Sequence, residues 1–335
     1  MNNSSEQAVA VDVKDLRVHF PIRKGVFATV AGVVKAVDGV TFQIRRGEIF
    51  ALVGESGCGK TTTAQAILGL TPRTSGSVSL SVGEWKEKGI RWEELSRAGK
   101  RTLRKQVQVV FQDPFSSLDP RFTVKQIIEE PLIIHNICTA GQRTALVKEL
   151  LSKVGLSDEY LNRYPHEFSG GQRQRICIAR ALATGPELVI ADEPVSALDV
   201  SIQAQIINLL QDLQKTLHQT MLFISHDLAV VRHVANRLAV MYLGKVAEMG
   251  TETHIFSSPR HPYTALLLES IPVPGKGRVN KGKLLSDDRE KSFTENGCSF
   301  YARCPRRTEE CLQRCPELVD IGDGHLVACF NPIPE

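Results

Sequence analysis

Residues 49–62 have the sequence Ile-Phe-Ala-Leu-Val-Gly-Glu-Ser-Gly-Cys-Gly-Lys-Thr-Thr, which indicates a strand, a phosphate-binding loop and the start of a helix. The apolar run Ile49–Val53 predicts a buried strand. Gly54–Thr61 then matches G-x-x-x-x-G-K-[ST] in full before a predicted helix, the context that this motif requires. In such a loop backbone N–H groups bind phosphates, the lysine reaches the β- and γ-phosphates, and the hydroxyl ligates Mg²⁺. The predicted phosphate-binding residues are Gly54, Glu55, Ser56, Gly57, Cys58, Gly59, Lys60, Thr61 and Thr62.

Predicted strands and helices alternate along the rest of the chain. The short apolar strands are Val107–Phe111, Leu188–Ala191 and Met221–Ile224, and the helices are Thr123–Ile137, Arg143–Val154 and Gln203–Leu217. This alternation favours an α/β protein with a parallel sheet and a helical insertion at about 112–185.

The two ends of this core show a different pattern. Alternating strands are predicted at Val11–Phe20 and Val37–Ile44, with a glycine-punctuated loop over 21–34 between them. Leu238–Met249 predicts a hairpin that turns at Gly244. Residues 274–296 are rich in Gly, Lys, Asp and Ser, and this composition predicts a linker.

Composition sets limits on the class of protein. The chain has 335 residues, 42% hydrophobic and 23% charged, which is typical of a globular protein of about two domains. A net charge of +4 is too small to indicate nucleic-acid binding, so no nucleic-acid partner is expected. No apolar run approaches the ~18 residues of a membrane span, and no export signal is visible. We therefore expect a cytosolic protein, unless a partner holds it at a membrane.

A second anion site is predicted at Phe168-Ser169-Gly170-Gly171-Gln172. Two glycines at a helix start let backbone N–H groups approach a phosphate, and the positive end of the helix faces it. The alternative is an ordinary helix start with Ser169 as its N-cap.

Several polar residues follow predicted strands. Asp192 suits a Mg²⁺ shell, and Glu193 can polarise a water that attacks a phosphate. Gln112 offers an amide oxygen to Mg²⁺ or to the attacking water, and His226 lies beyond a buried strand, where parallel sheets bind ligands. Taken singly, each of these residues has a structural or solvated alternative. The segment Ser196, Ala197, Leu198 and Asp199 follows in a position to brace the site.

Five of the 8 cysteines crowd the C-terminal tail. Four of them, Cys298, Cys304, Cys311 and Cys329, are enough for zinc or for an iron–sulfur cluster. The absence of a C-x-x-C pair weakens a zinc-ribbon interpretation, and unliganded thiols are the third possibility. Cys315 is either an alternate ligand or a bystander. In the phosphate loop, Cys58 is either an oxidation switch at a helix N-terminus or a small space-filling residue.

These motifs, in this order, resemble the ATP-binding-cassette (ABC) ATPases over about residues 10–255. The segments resemble, in turn, the phosphate loop, Q-loop, signature, Walker B, D-loop and H-loop. The resemblance implies a P-loop NTPase fold with a parallel-sheet core, an antiparallel β subdomain, an inserted helical subdomain and a Cys-rich C-terminal extension. The expected domains are the ATPase at 1–260, with its helical subdomain at about 112–185, and the extension at 261–335.

The resemblance also implies roles. The family forms a nucleotide-sandwich dimer, in which Ser169 and Gly171 would touch the γ-phosphate held by the other subunit. Glu193 would be the general base, and His226 would contact the γ-phosphate and the attacking water. Phe20 best fits the aromatic that stacks on adenine, with Phe27 as runner-up.

Three segments resemble the oligopeptide/dipeptide-importer branch: Phe111–Pro120, His261–Leu267 and the tail from Gly297. By this resemblance we expect ATP, Mg²⁺ and a [4Fe-4S] cluster on the four tail cysteines. We expect a peripheral ATPase subunit on the cytoplasmic face of the membrane. Its partners would be two permease subunits, a second ABC ATPase in a heterodimer, and an extracytoplasmic substrate-binding protein.

The transported substrate stays open. Di- and oligopeptides lead, with nickel, glutathione or a sugar as alternatives. A soluble cassette ATPase not tied to transport is disfavoured by the single set of motifs and the lack of sustained heptads, and an exporter subunit by the three importer-like segments. A binding module with a catalytically inactive ATP site is disfavoured because Lys60, Glu193 and His226 are all present.

Overall fold

A computed structural model describes residues 8–24, 29–271 and 296–334. Nearly all of the predicted linker, and Phe27, lie outside these residues. The chain divides into two compact units. The first comprises Met1–Asp12, Gln43–Ile49 and Ser77–Ile224, and the second Val13–Phe42, Phe50–Gly76 and Ser225–Glu335.

The strands are β1 (Val9–Lys24), β2 (Thr29–Arg45), β3 (Ile49–Val53), β4 (Ser75–Leu80), β5 (Val107–Val110), β6 (Leu188–Asp192), β7 (Thr220–Ser225), β8 (Arg237–Tyr242), β9 (Lys245–Thr251), β10 (Val319–Asp320) and β11 (Leu326–Val327). The α-helices are α1 (Lys60–Ile67), α2 (Arg97–Gln106), α3 (Pro114–Ser117), α4 (Val124–Ile134), α5 (Ala140–Lys153), α6 (Gly170–Leu182), α7 (Val200–Leu217), α8 (Leu228–Val234), α9 (Glu252–Ser257), α10 (Pro262–Glu269) and α11 (Glu310–Gln313).

In the first unit, β5, β6 and β7 are neighbours in a parallel arrangement. Leu188 pairs with Thr220 and Asp192 with Ile224. Every residue of β6 and β7 is buried, which explains why the sequence shows continuous apolar runs here instead of alternation. This register places Asp192 at the carboxyl end of its strand, and the stretch 112–185 that precedes β6 contains the helices α3 to α6.

In the second unit, strands are ordered β10-β11-β9-β8-β3. β3 runs parallel to β8, and β8 forms an antiparallel hairpin with β9. The hairpin turns at Leu243 and Gly244, both with positive φ (43° and 81°), as a two-residue hairpin loop requires. The predicted turn at Gly244 is confirmed. The tail adds to this sheet, because Val327 on β11 pairs with Glu248 on β9.

One prediction at the N-terminal end is wrong. The glycine-punctuated stretch 21–34 is largely strand, since β1 continues to Lys24 and β2 begins at Thr29. These two strands and β4 form a three-stranded sheet in the order β2-β1-β4. Backbone pairing with a neighbouring strand outweighs the weak local preference of glycine for turns.

Candidate functional site

The phosphate loop (Gly54–Thr61) joins β3 to α1 in the second unit. Close packing requires two of its glycines, Gly54 and Gly59. A Cβ at Gly54 would lie less than 3.0 Å from the carbonyl oxygen of Met241, and one at Gly59 equally close to that of Ala36. Gly59 also has a φ of 104° just before the first residue of α1, a conformation that favours glycine.

The lysine of the loop is buried and folded back onto it. Lys60 Nζ donates to the carbonyls of Gly54, at 2.8 Å, and Glu55, at 3.0 Å. Because α1 starts at Lys60 and carries no acidic residue in its first turn, the positive end of the helix coincides with this ammonium group. The loop therefore combines the features of an anion site.

Cys58 is buried, and its Sγ lies 3.8 Å from Lys60 Nζ. Burial raises the pKa of its thiol, against the lowering effect of Lys60. Since the thiolate is the reactive form, the structure favours the space-filling interpretation over the oxidation switch.

Two residues outside the nucleotide motifs hold Glu55. Tyr263 Oη accepts a hydrogen bond from the Glu55 backbone N–H at 3.1 Å, and Arg303 donates two hydrogen bonds to the Glu55 carboxylate. The sequence contains both residues in segments that resemble the importer branch, but no motif joins them to the loop. Sequence reasoning missed these contacts.

The predicted catalytic carboxylates lie in the first unit, at the end of β6. Asp192 is buried as the last residue of the strand. Glu193 follows with a φ of 47°, an uncommon conformation for a residue with a side chain. Its carbonyl accepts from the backbone N–H of Ser196 at 3.2 Å and from the Ser196 hydroxyl at 3.1 Å. The turn after β6 thus holds Glu193 in a strained conformation of the kind found at functional sites.

The segment Ser196–Asp199 is braced from α7. Gln203 Nε2 donates to the carbonyls of Val195 and Leu198, each at 3.0 Å. Asp199 is the N-cap residue of α7. This segment also meets the signature, because a Cβ added at Gly170 would lie 3.2 Å from Leu198 Cδ2.

The signature opens α6 as predicted. Exposed Ser169 is the N-cap; its hydroxyl accepts from the Gln172 N–H at 3.4 Å, and the Gln172 side chain accepts from the Ser169 N–H at 3.1 Å. Gly171 is buried against α7, where a Cβ would lie less than 3.0 Å from Ile202 Cγ2. Phe168 is buried with its ring centroid 5.3 Å from that of Tyr160.

Three further predicted site residues, Gln112, His226 and Phe20, are solvent-exposed. Gln112 follows β5 in the first unit. In the second unit, His226 follows β7 and Phe20 lies on β1 with 43% of its surface exposed. After His226, Asp227 caps α8 through its carboxylate, which accepts from the Ala229 N–H at 2.8 Å.

The expected iron–sulfur cluster is wrong. Among the residues that the structure describes, no group of three or more His, Cys, Asp or Glu side chains is placed to hold a metal ion, so the zinc alternative fails as well. Burial raises the pKa of the Cys298 thiol to about 11 and also raises the pKa of Cys304 and Cys329, whereas metals bind the thiolate. Cys311 Sγ pairs with the Thr308 hydroxyl at 3.2 Å, and Cys315 Sγ with Lys245 Nζ at 3.1 Å.

Two segments of the chain match known protein families. Residues 37–196 match the family described as ABC transporter, and residues 247–311 match the oligopeptide/dipeptide transporter C-terminal region. The oligopeptide transport ATP-binding protein AppF of Bacillus subtilis is 47% identical over 97% of this chain and 98% of its own length. The dipeptide transport ATP-binding protein DppF of Haemophilus influenzae is 44% identical over 98% and 99%.

Two further similarities bear on activity. The glutathione import ATP-binding protein GsiA of Pectobacterium atrosepticum is 49% identical over 96% of this chain but only 49% of its own length. A dimeric ATP-binding cassette solved in a post-hydrolysis state with ADP and Pi has a TM-score of 0.62 at 28% identity, covering 72% of this chain and 98% of that one. In the described ranges, no helix combines the length and apolar character needed to cross a bilayer.

Proposed function

The chain belongs to the ABC transporter family of ATPases, in its oligopeptide/dipeptide branch, and we propose that it hydrolyses ATP to drive import of di- and oligopeptides through a membrane permease. One observation carries this proposal. Relatives named for oligopeptide and dipeptide transport align with the chain over nearly its whole length, including the tail.

ATP binding is assigned to the second unit. The N–H groups of the phosphate loop bind the phosphates, Lys60 exchanges its carbonyl partners for phosphate oxygens, and Phe20 offers an exposed ring to adenine. Mg²⁺ fits the donor chemistry, because the hydroxyl of Thr61, the buried carboxylate of Asp192 and the amide of Gln112 are all oxygen donors. When bound, the ion neutralises charge on the β- and γ-phosphates.

Hydrolysis is assigned to Glu193 and His226. The Glu193 carboxylate accepts a proton from water while the water oxygen bonds to the γ-phosphorus, and the bond to the bridging oxygen breaks to release ADP. His226 contacts the γ-phosphate and orients the water. The strained, hydrogen-bonded backbone of Glu193 supports this role.

Partner contacts are proposed on two exposed features. Exposed Ser169 at the α6 N-terminus would contact the ATP of a second ABC ATPase, different in sequence from this one. The helical stretch 112–185 exposes Phe115, Phe122, Ile133 and Ile134, which suit an apolar groove for a short permease helix. The assembly would hold two permease subunits and an extracytoplasmic binding protein, with this chain peripheral on the cytoplasmic face.

Glutathione import is the second candidate function, favoured by the 49% identity to a glutathione import relative. Glutathione is itself a small peptide, so it belongs to the same chemical class of substrate as di- and oligopeptides.

The test is transport by the whole assembly. The chain is reconstituted in proteoliposomes with the permease subunits, second ATPase and binding protein that co-purify with it, and uptake of a radiolabelled tripeptide, glutathione and Ni²⁺ is compared. We expect ATP-dependent uptake of the tripeptide that is lost with Lys60→Ala. Uptake of glutathione alone would favour the second candidate, and uptake without ATP would contradict the proposal.

A further inference from the structure

Glu55, the second residue of the phosphate loop, has partners on every polar group. Its carbonyl accepts from Lys60 Nζ at 3.0 Å and from the Cys58 backbone N–H at 3.3 Å. Its own N–H donates to Tyr263 Oη at 3.1 Å. Because one of these partners is the phosphate-binding lysine, the position of Glu55 sets the geometry that the lysine adopts in the loop.

The carboxylate of Glu55 is held from the C-terminal tail. Arg303 Nη1 donates to Oε2 at 2.9 Å and Nη2 donates to Oε1 at 2.8 Å, a bidentate ion pair. The two side chains are only 17% and 24% exposed, so solvent screens this pair less than a surface pair. A bidentate, charge-assisted pair restricts the orientation of both groups.

Three packed aromatic residues, Tyr242, Tyr263 and Phe300, support this pair. Their ring centroids lie 4.6 to 5.4 Å apart. The guanidinium carbon of Arg303 lies 5.6 Å from the Tyr242 ring centroid and 5.7 Å from that of Phe300. Contacts with two of the rings therefore add to the carboxylate in fixing the position of the arginine.

The tail is attached to the rest of the second unit independently of Arg303. Val327 on β11 pairs with Glu248 on β9. The fully buried Glu248 carboxylate accepts from His325 at 2.7 Å and from the backbone N–H of Arg260 and His261. Loss of the Arg303 guanidinium therefore removes a contact to the loop without detaching the tail.

We propose that Arg303 is a positioning residue for ATP binding, which acts through Glu55 to hold the phosphate loop ready for nucleotide. This rests on the proposed function. A loop that is already ordered pays less conformational entropy when it binds its ligand. The C-terminal tail thereby sets the nucleotide affinity of a loop that lies 248 residues away in sequence.

The experiment measures MgATP binding by the full-length chain with isothermal titration calorimetry. Arg303→Met keeps the side-chain stem on the rings and removes the guanidinium, and we expect a Kd about tenfold weaker. Arg303→Lys should recover only part of the loss, because lysine cannot form a bidentate pair. The control is Arg307→Met. The guanidinium of Arg307 contacts the Ala302 carbonyl and the Tyr301 ring and not the loop, so this variant should bind ATP like the wild type.

A double-mutant cycle with Glu55→Gln separates positioning from general damage. If the pair acts as a unit, Arg303→Met in the Glu55→Gln background should weaken binding much less than tenfold. In hydrolysis the loss should appear in KM with kcat within about twofold. Unchanged affinity in Arg303→Met, or fully additive losses, would overturn the inference. A wild-type chain that binds no ATP would instead contradict the proposed function.

Discussion

The backbone N–H of Glu193 donates to the carbonyl of Ile224 at 3.0 Å, which joins the proposed general base to the end of the neighbouring strand β7. Glu193 has a φ of 47°, so the chain leaves β6 in a conformation that costs energy for any residue other than glycine. The hydrogen bonds to Ile224 and Ser196 hold this conformation. The strained backbone at Glu193 thus lowers the stability of the first unit while it positions one carboxylate.

Glu193→Gln should abolish steady-state ATP hydrolysis. The amide keeps the size and shape of the side chain but cannot accept a proton, and general bases contribute about 10²–10⁴-fold to rates. We expect a loss of at least about 100-fold in phosphate release, with MgATP binding retained. ATP-dependent association with the partner ATPase, followed by size-exclusion chromatography, should persist. Unchanged turnover would show that another residue is the base.

Ser169→Ala should damage the ATP site of the partner subunit more than the site on its own chain. The matched control is Thr123→Ala, because Thr123 caps α4 with the same pair of hydrogen bonds to Gln126 and lies outside the nucleotide motifs. Each variant should lose about 1 kcal/mol of stability as a cap is removed. Only Ser169→Ala should lower hydrolysis when the partner supplies the sole intact phosphate loop. Equal losses in the two variants would reduce Ser169 to a helix cap.

Gly171→Ala should destabilise the protein by about 1–3 kcal/mol through overpacking. A Cβ at this position would lie less than 3.0 Å from Ile202 Cγ2, so α6 and α7 would have to separate. Gly141→Ala is the control, since a Cβ at Gly141 has nothing within 4 Å and alanine favours helix α5. Urea denaturation should show a lower midpoint for Gly171→Ala and an unchanged or higher one for Gly141→Ala. Equal midpoints would refute the close packing.

Stability should fall as pH is lowered from about 6.5 to about 4 because of His261. Burial lowers the pKa of this side chain from 6.5 to about 4, although the nearby Glu248 opposes the shift. Between these two pH values the imidazole binds a proton in the unfolded chain but not in the folded chain. The contribution of His261 to the free energy of unfolding is therefore fully present above pH 6.5 and is lost progressively as pH falls toward 4. The shift corresponds to about 3 kcal/mol.

The measurement for His261 is the free energy of unfolding at pH 7 and pH 5. His261→Gln should be less stable at pH 7 but should show a weaker pH dependence between the two values. His218→Gln, at an exposed position, is the control and should keep the wild-type dependence. A His261→Gln variant with the full wild-type dependence would rule out this origin.

Features set by short-range patterns were predictable. The run Ile49–Val53 forms β3 with the predicted bounds, and Ser169 caps α6 because a serine followed three residues later by glutamine satisfies the first backbone groups of a helix. The predicted roles of the site residues, including the two carboxylates, stay predictions; the variants above test those of Glu193 and Ser169.

Two sequence patterns were misleading. Crowded cysteines predicted a metal centre, yet a ligand set depends on how the thiols are directed in space, and among the described residues they form no such set. Glycines predicted a loop over 21–34, whereas most of that stretch pairs as strand. In both cases residue type was a weaker determinant than the neighbours that the fold supplies.

The sequence by itself determined the phosphate loop, the order of the nucleotide motifs and the family, because each depends on residues that are close along the chain. Only the tertiary structure decided that Arg303 in the tail meets Glu55 in the loop, and that Tyr263 supports the same residue. The physical reason is that an ion pair forms only when both charged groups lie within contact distance, which depends on how distant parts of the chain pack. Strand pairing between β9 and β11 attaches the tail to the rest of the second unit, and no local pattern encodes that contact.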